Sequence, residues 1–104
     1  MSYRVVFSPE AEEQLVALYG YIAAAASPDI AARYVGAIVN YCESLCMSPH
    51  RGTKRDDVRP GLRITNYKKR AVIAFDVDAD VISVIGVYYG GQDYETILQD
   101  DQDA

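Results

Sequence analysis

Apolar and polar positions alternate with two different periods along this chain, and the change of period divides it. Ser2 to Phe7 (SYRVVF) is β-branched and aromatic, which predicts a strand. Ser8-Pro9 then opens a helix: serine caps, and proline suits the first helical position. Glu10, Glu12 and Glu13 favour the positive end of its dipole. Ala11, Leu15, Leu18 and Ile22 form one apolar stripe, so the spacing predicts helix from Pro9 to about Ala25. Ser27-Pro28 repeats the start signal. A second stripe, Ala31, Val35, Ile38, Cys42 and Leu45, predicts helix from Pro28 to about Cys46. So short a connection makes the pair an antiparallel hairpin. Tyr19, Tyr21, Tyr34 and Tyr41 border the stripes, as amphipathic packing with hydroxyls at the rim.

Turn residues fill Met47 to Pro60, and a period of two follows. Leu62–Tyr67, Arg70–Val77 and Val81–Tyr89 read as strands, joined by Lys68-Lys69 and Asp78-Ala79-Asp80. The last strand is apolar on both faces, which places it inside the sheet. Gly90-Gly91 breaks it. Asp93 is expected to cap a short helical turn through Tyr94, Ile97 and Leu98. The fold class is α+β: an N-terminal strand, then a two-helix hairpin packed on a mainly antiparallel sheet. Residues 1–98 make one domain, and 99–104 (QDDQDA) read as a disordered acidic tail.

Charge sharpens this picture. Eight of the ten Lys and Arg residues lie between Arg51 and Arg70, opposed there only by Asp56 and Asp57, for a local +6 in a chain of net −5. Exposed charges beyond about 8 Å are largely screened at physiological salt. An anionic partner at 51–70 therefore meets the local excess and not the total. Alternation puts Leu62, Ile64 and Asn66 on one face of their strand, and Arg63, Thr65 and Tyr67 on the other. With Leu62 and Ile64 packed under the helices, Arg63 and Tyr67 face outward beside Arg51, Lys54, Arg55 and Arg59. Lys68, Lys69 and Arg70 continue the series. Such a face suits phosphate contact and base stacking, and equally an acidic protein segment.

Other chemistry is sparsely indicated. Cys42 and Cys46 share a helical face and read as reduced core thiols. Pro49 ends that helix before His50 and no fourth ligand is evident, so no metal is expected. No cofactor motif, P-loop or G-x-S-x-G is present. No apolar run approaches the roughly 20 residues that span a bilayer. The opening residues do not read as a signal peptide, so the expected compartment is the cytoplasm.

Several motifs, taken in order, resemble the RelE/ParE toxins of type II toxin–antitoxin systems. They are Y-R-V-V-F-S-P-E-A-E-E-Q-L, Y-G-Y-I, P-H-R-G-T, D-D-V-R-P-G-L-R and V-Y-Y-G-G-Q-D-Y-E-T-I-L, and they cover about residues 3–98. The wording is nearer the ParE branch, the plasmid-stabilisation proteins. The resemblance implies a toxin bound and neutralised by a cognate antitoxin in a hetero-oligomer. ParE-like members poison DNA gyrase, and RelE-like members cleave mRNA on the ribosome. For a ParE-like protein the expected target is gyrase or its DNA complex, met by Arg51, Lys54, Arg55, Arg59, Arg63, Lys68, Lys69, Arg70, Tyr88 and Tyr89, without chemistry of its own. A RelE-like nuclease would instead use Arg63 and Tyr88. A third outcome is a non-toxic, antitoxin-binding remnant. Family members commonly carry a cation before the Asp of the terminal motif, where this chain has Gln92, so no cation follows Arg70.

Overall fold

The structure, a computed structural model, describes residues 3–90 and Leu98. Strand β1 (Arg4–Phe7) leads into helices α1 (Pro9–Ala25) and α2 (Pro28–Glu43), then a 3-10 turn at Ser44–Met47. Strands β2 (Thr53–Lys54), β3 (Arg63–Tyr67), β4 (Ala71–Asp78) and β5 (Val81–Tyr89) follow. They form one mixed sheet in the order β1-β5-β4-β3-β2, in which β1 runs parallel to β5 and the other pairs are antiparallel. The central place of β5 accounts for its two apolar faces.

Both helices begin as their serines dictate. Ser8 Oγ accepts from the Ala11 N–H at 3.1 Å, and Ser27 Oγ from the Ile30 N–H at 3.1 Å. The second helix stops three residues short of the expected Cys46. Ser44 donates its hydroxyl to the Tyr41 carbonyl at 2.5 Å, and the chain tightens into the 3-10 turn there. Thr53–Lys54 pairs with Ile64 and Arg63, a short strand in what the sequence marks as loop. Gly52, at φ +85, makes that pairing possible. A Cβ there would sit 2.2 Å from the Ile64 carbonyl oxygen.

The sheet has a core on each face. Under the helices, Leu15, Leu18, Ile38, Cys42 and Leu45 pack against Ile73, Phe75, Ile82 and Val84. On the far face Val58, Leu62, Ile64, Ala74, Tyr88 and Leu98 form a second cluster. This inverts the expected faces of β3. Thr65 and Tyr67 lie under α2, and Leu62 and Ile64 lie on the far side. The three-residue connection Lys68–Arg70 sets this register: Tyr67 pairs with Ala71 and Thr65 with Ile73, and cross-strand partners share a face.

A bulge re-aims the end of β5. Ala74 opposes Gly86 but Phe75 opposes Val84, leaving Ile85 as the extra residue. The backbone groups around it are taken up by α1 and its cap. Ser8 N–H donates to the Val84 carbonyl at 3.0 Å and Ser8 Oγ–H to the Ile85 carbonyl at 2.8 Å. Val87 N–H donates to Gln14 Oε1 at 2.7 Å. Past the bulge Val87 and Tyr89 join the helix-side core, while Tyr88 joins the far cluster. The expected cap at Asp93 and the tail at 99–104 lie outside the described residues, but Leu98 is buried in the far cluster.

Candidate functional site

Sequence reasoning expects one basic face, whereas the structure sorts its members into three places. The first is the loop around β2. Arg55 grips Asp57 with two bonds, Nε to Oδ1 at 3.0 Å and Nη2 to Oδ2 at 2.9 Å. That pair holds the Asp57 carboxyl below the usual carboxylate range. Lys54 Nζ stands 3.8 Å from Asp56, whose other oxygen accepts the Gly61 N–H at 2.8 Å. These carboxylates neutralise the loop's own cations and pin its turns.

The second place is a groove of about 880 Å³ between α1 and the far face of the sheet, lined by Glu10, Glu13, Arg59, Leu62, Asp76 and Tyr88 among others. Burial raises the Asp76 carboxyl, with Arg59 pulling the other way and Asp78 adding to the rise. Tyr88 is only 3% exposed here, and its ring crosses the space a Cβ at Gly86 would need. Among the described residues the far face is thus apolar at its centre, with Arg59 at the margin of its groove. It is not the open, cation-lined surface that the alternation suggests.

The third place is the helix-side edge of β3, running toward the β3–β4 turn. Arg63 lies on the Thr65 and Tyr67 side of the strand. Its guanidinium donates to the carbonyls of His50 and Arg51, the latter at 3.3 Å, so it clamps the preceding loop. The Arg51 guanidinium lies 5.2 Å over the Tyr41 ring and donates to Ser44 Oγ at 3.3 Å. Tyr41 shares a 2.9 Å hydroxyl bond with Thr65 and tilts against Tyr67 at 5.3 Å between centroids. Tyr34 meets Tyr67 edge-on at 6.4 Å and Tyr89 at 5.9 Å. Burial first, then Tyr89, pushes the Tyr34 phenol above its ordinary range, while Arg70 lowers it. Lys68 Nζ stands 5.5 Å over the Tyr67 ring.

At the turn itself Lys68, Lys69 and Arg70 are all exposed, and none forms a carboxylate ion pair among the described residues. The turn closes through the Arg70 N–H on the Tyr67 carbonyl at 3.1 Å. Lys68 and Lys69 sit at φ 52 and 60, a left-handed pair that ordinarily selects Asn-Gly. The tyrosine ladder under this edge is the feature that sequence reasoning missed as a unit. Its signal is the seven-residue spacing of Tyr34 and Tyr41, which stacks them along one face of α2.

Arg63 and Tyr88, the pair a nuclease reading requires, point to opposite faces of the sheet. No cluster of three His, Cys, Asp or Glu side chains is placed to hold an ion among the described residues. Cys42 is fully buried, and that burial pushes its thiol up to about 12. No described helix is long and apolar enough to cross a membrane.

A helical hairpin on a five-stranded mixed sheet is the small α+β fold found in the ParE and RelE structural neighbours. The sequence family described as the ParE toxin of type II toxin–antitoxin systems, parDE, matches residues 5–94. The chain belongs to that family. Among solved structures, the chromosomal ParDE toxin–antitoxin system from P. aeruginosa holds a chain that superposes with a TM-score of 0.74. The two are 20% identical over 84% of this chain and 95% of that one. A chain of the RelBE2 toxin–antitoxin complex from Mycobacterium tuberculosis superposes at 0.63, with 18% identity over 86% of this chain and all of that one. At such identities the likeness is one of fold. No curated protein matches the sequence closely.

Proposed function

We propose that this protein is a toxin that arrests its cell by binding DNA gyrase on DNA, and that a cognate antitoxin holds it inactive until then. Membership of the ParE family supports the first half, and the toxin–antitoxin complexes among its structural neighbours support the second. The observation that carries binding over cleavage is the division of Arg63 from Tyr88. A phosphodiester cannot meet both at once, because the sheet stands between them. Arg63 is further committed to two backbone carbonyls, and Tyr88 is enclosed in an apolar cluster. Target contact then falls first to the cations of the β3–β4 turn, Lys68, Lys69 and Arg70. The antitoxin's amphipathic segment docks on the helical hairpin, where Val16, Tyr19, Tyr21 and Ile30 are exposed. The cytoplasm, where gyrase works, is the compartment this reading requires.

The test is expression of the chain alone and then with its antitoxin. Filamentation and a DNA-damage response, both reversed by the antitoxin, together with loss of supercoiling by purified gyrase, are the expected results. Arrest with intact DNA and messages cut on the ribosome would overturn the gyrase reading in favour of nuclease action. Harmless expression would mark the chain as an antitoxin-binding remnant.

A further inference from the structure

We propose that the β3–β4 turn, through Lys68, Lys69 and Arg70, contacts the phosphate backbone of duplex DNA. The inference deepens the gyrase reading above, since it names the part of a gyrase–DNA complex that this turn would touch. Three side chains in succession are exposed there, without a carboxylate partner among the described residues. The two positions at which Asn and Gly would sit most easily carry ammonium groups instead. Pairing of Tyr67 with Ala71 holds the three cations at one end of the sheet, beside Tyr34 and Tyr67.

The chemistry around the turn selects the partner. An amphipathic acidic peptide needs apolar surface as well as charge. The exposed large apolar side chains among the described residues are Val6, Val16, Tyr19, Tyr21, Ile30 and Met47, and none lies on this turn. Single-stranded nucleic acid binds by stacking bases on open aromatic faces as well as by backbone charge. Here Arg51 and Lys68 lie over the faces of Tyr41 and Tyr67, and Tyr34 packs edge-on against Tyr67 and Tyr89. What remains is exposed positive charge without an open stacking platform, which suits duplex phosphates. The net −5 of the chain does not cancel this, because carboxylates more than about 8 Å away are screened.

The experiment is fluorescence anisotropy of a labelled 20-base-pair duplex with the full-length protein at several salt concentrations. Each neutralised phosphate contributes about −0.9 to the slope of log affinity against log salt. Wild type should give a slope of about −3, and Lys68→Gln/Lys69→Gln/Arg70→Gln should bring it near zero with at least tenfold weaker binding at low salt. Arg4→Gln, at the other edge of the sheet, should leave both unchanged. Circular dichroism melts show that the triple variant is folded. Absence of duplex binding by wild type, or an unchanged slope in the triple variant, overturns the proposal. Tighter binding of a 20-nucleotide RNA, or a triple variant that loses only its antitoxin, overturns it as well. If duplex binding behaves as expected and gyrase is not inhibited, the gyrase reading fails and this one stands.

Discussion

Lys69 offers a direct test of whether the turn accepts a stability cost for its charge. Its φ of 60 lies in the left-handed region, where a side chain with a Cβ costs about 1–2 kcal/mol relative to the right-handed one. The structure gives its ammonium group no hydrogen bond, ion pair or ring contact among the described residues to offset that. Lys69→Gly removes the steric term. Glycine's wider unfolded ensemble takes back about 0.4–1 kcal/mol. The net expectation is stabilisation by about 0.5–1 kcal/mol, which for a domain of this size moves Tm up by about 3–6 °C. Thermal melts and urea titrations read it, with the urea midpoint rising and the m-value unchanged. Lys69→Ala is the matched control, because it deletes the ammonium group and keeps the strained Cβ. If Lys69→Gly melts no higher than Lys69→Ala, the backbone is not strained there and the reasoning fails. In the duplex-binding assay both variants should lose about one phosphate's share of the salt slope. The more stable protein would then be the weaker binder.

Arg63→Ala should cost about 1–2 kcal/mol and expose the amides of residues 48–55 to hydrogen exchange, since it frees the carbonyls of His50 and Arg51; unchanged stability with lost toxicity would make Arg63 a target contact instead of a clamp. Thr65→Val and Tyr41→Phe should each cost about 1 kcal/mol, and the double variant little more than either, because each single change orphans one hydroxyl of the 2.9 Å pair. Simple additivity would argue that the two hydroxyls are not partners. Asp76 is raised by burial, so the folded protein binds its proton more tightly than the unfolded chain does. Wild-type stability relative to Asp76→Asn should therefore fall as pH climbs from the ordinary carboxylate range through the raised value, and stay flat above it. A rise over that window would show attraction to Arg59 outweighing burial.

Much of the fold was legible because its signals are local. Two Ser-Pro starts and two apolar stripes locate both helices, and α1 spans Pro9–Ala25 as its spacing predicts. Period-two segments locate β3, β4 and β5 to within a residue at each end. The two-residue strand β2 was not legible, since it depends on Gly52 approaching Ile64 from twelve residues away in sequence. Nor was the bulge at Ile85, whose apolar neighbours suit either face. The faces of β3 are a different case. Alternation separates two sets of residues but does not say which set lies inside. Lys68-Lys69 as a strict two-residue turn would pair Tyr67 with Arg70 and set Tyr67 and Thr65 on the far face; the chain instead spends a third residue, Arg70, in the connection, so Tyr67 meets Ala71 and both lie inside. The expectation buried Leu62 and Ile64 under the helices, in keeping with the shorter turn. It did so because nothing local announces a second core, closed from Val58 on one side and Leu98 on the other.

That second core changes how much of the +6 at residues 51–70 is available to a partner. Lys54 and Arg55 face their own carboxylates, and Arg59 shares its groove with Asp76. Arg51 and Arg63 are held by a hydroxyl, a ring and two carbonyls. Lys68, Lys69 and Arg70 remain, exposed on one turn with no carboxylate partner among the described residues, although Lys68 also lies over the Tyr67 ring. Exposed pairs of the Lys54 kind are worth little, and a polyanion can compete them apart. The salt slope therefore discriminates between the two descriptions. The three turn cations alone give about −3, whereas a loop that surrenders its internal pairs to DNA gives about −7, since all eight basic residues then engage phosphates. A slope near the larger figure would mean that the partner dissolves the contacts seen around β2. The loop from His50 to Arg63 would then be part of the binding surface, not its support.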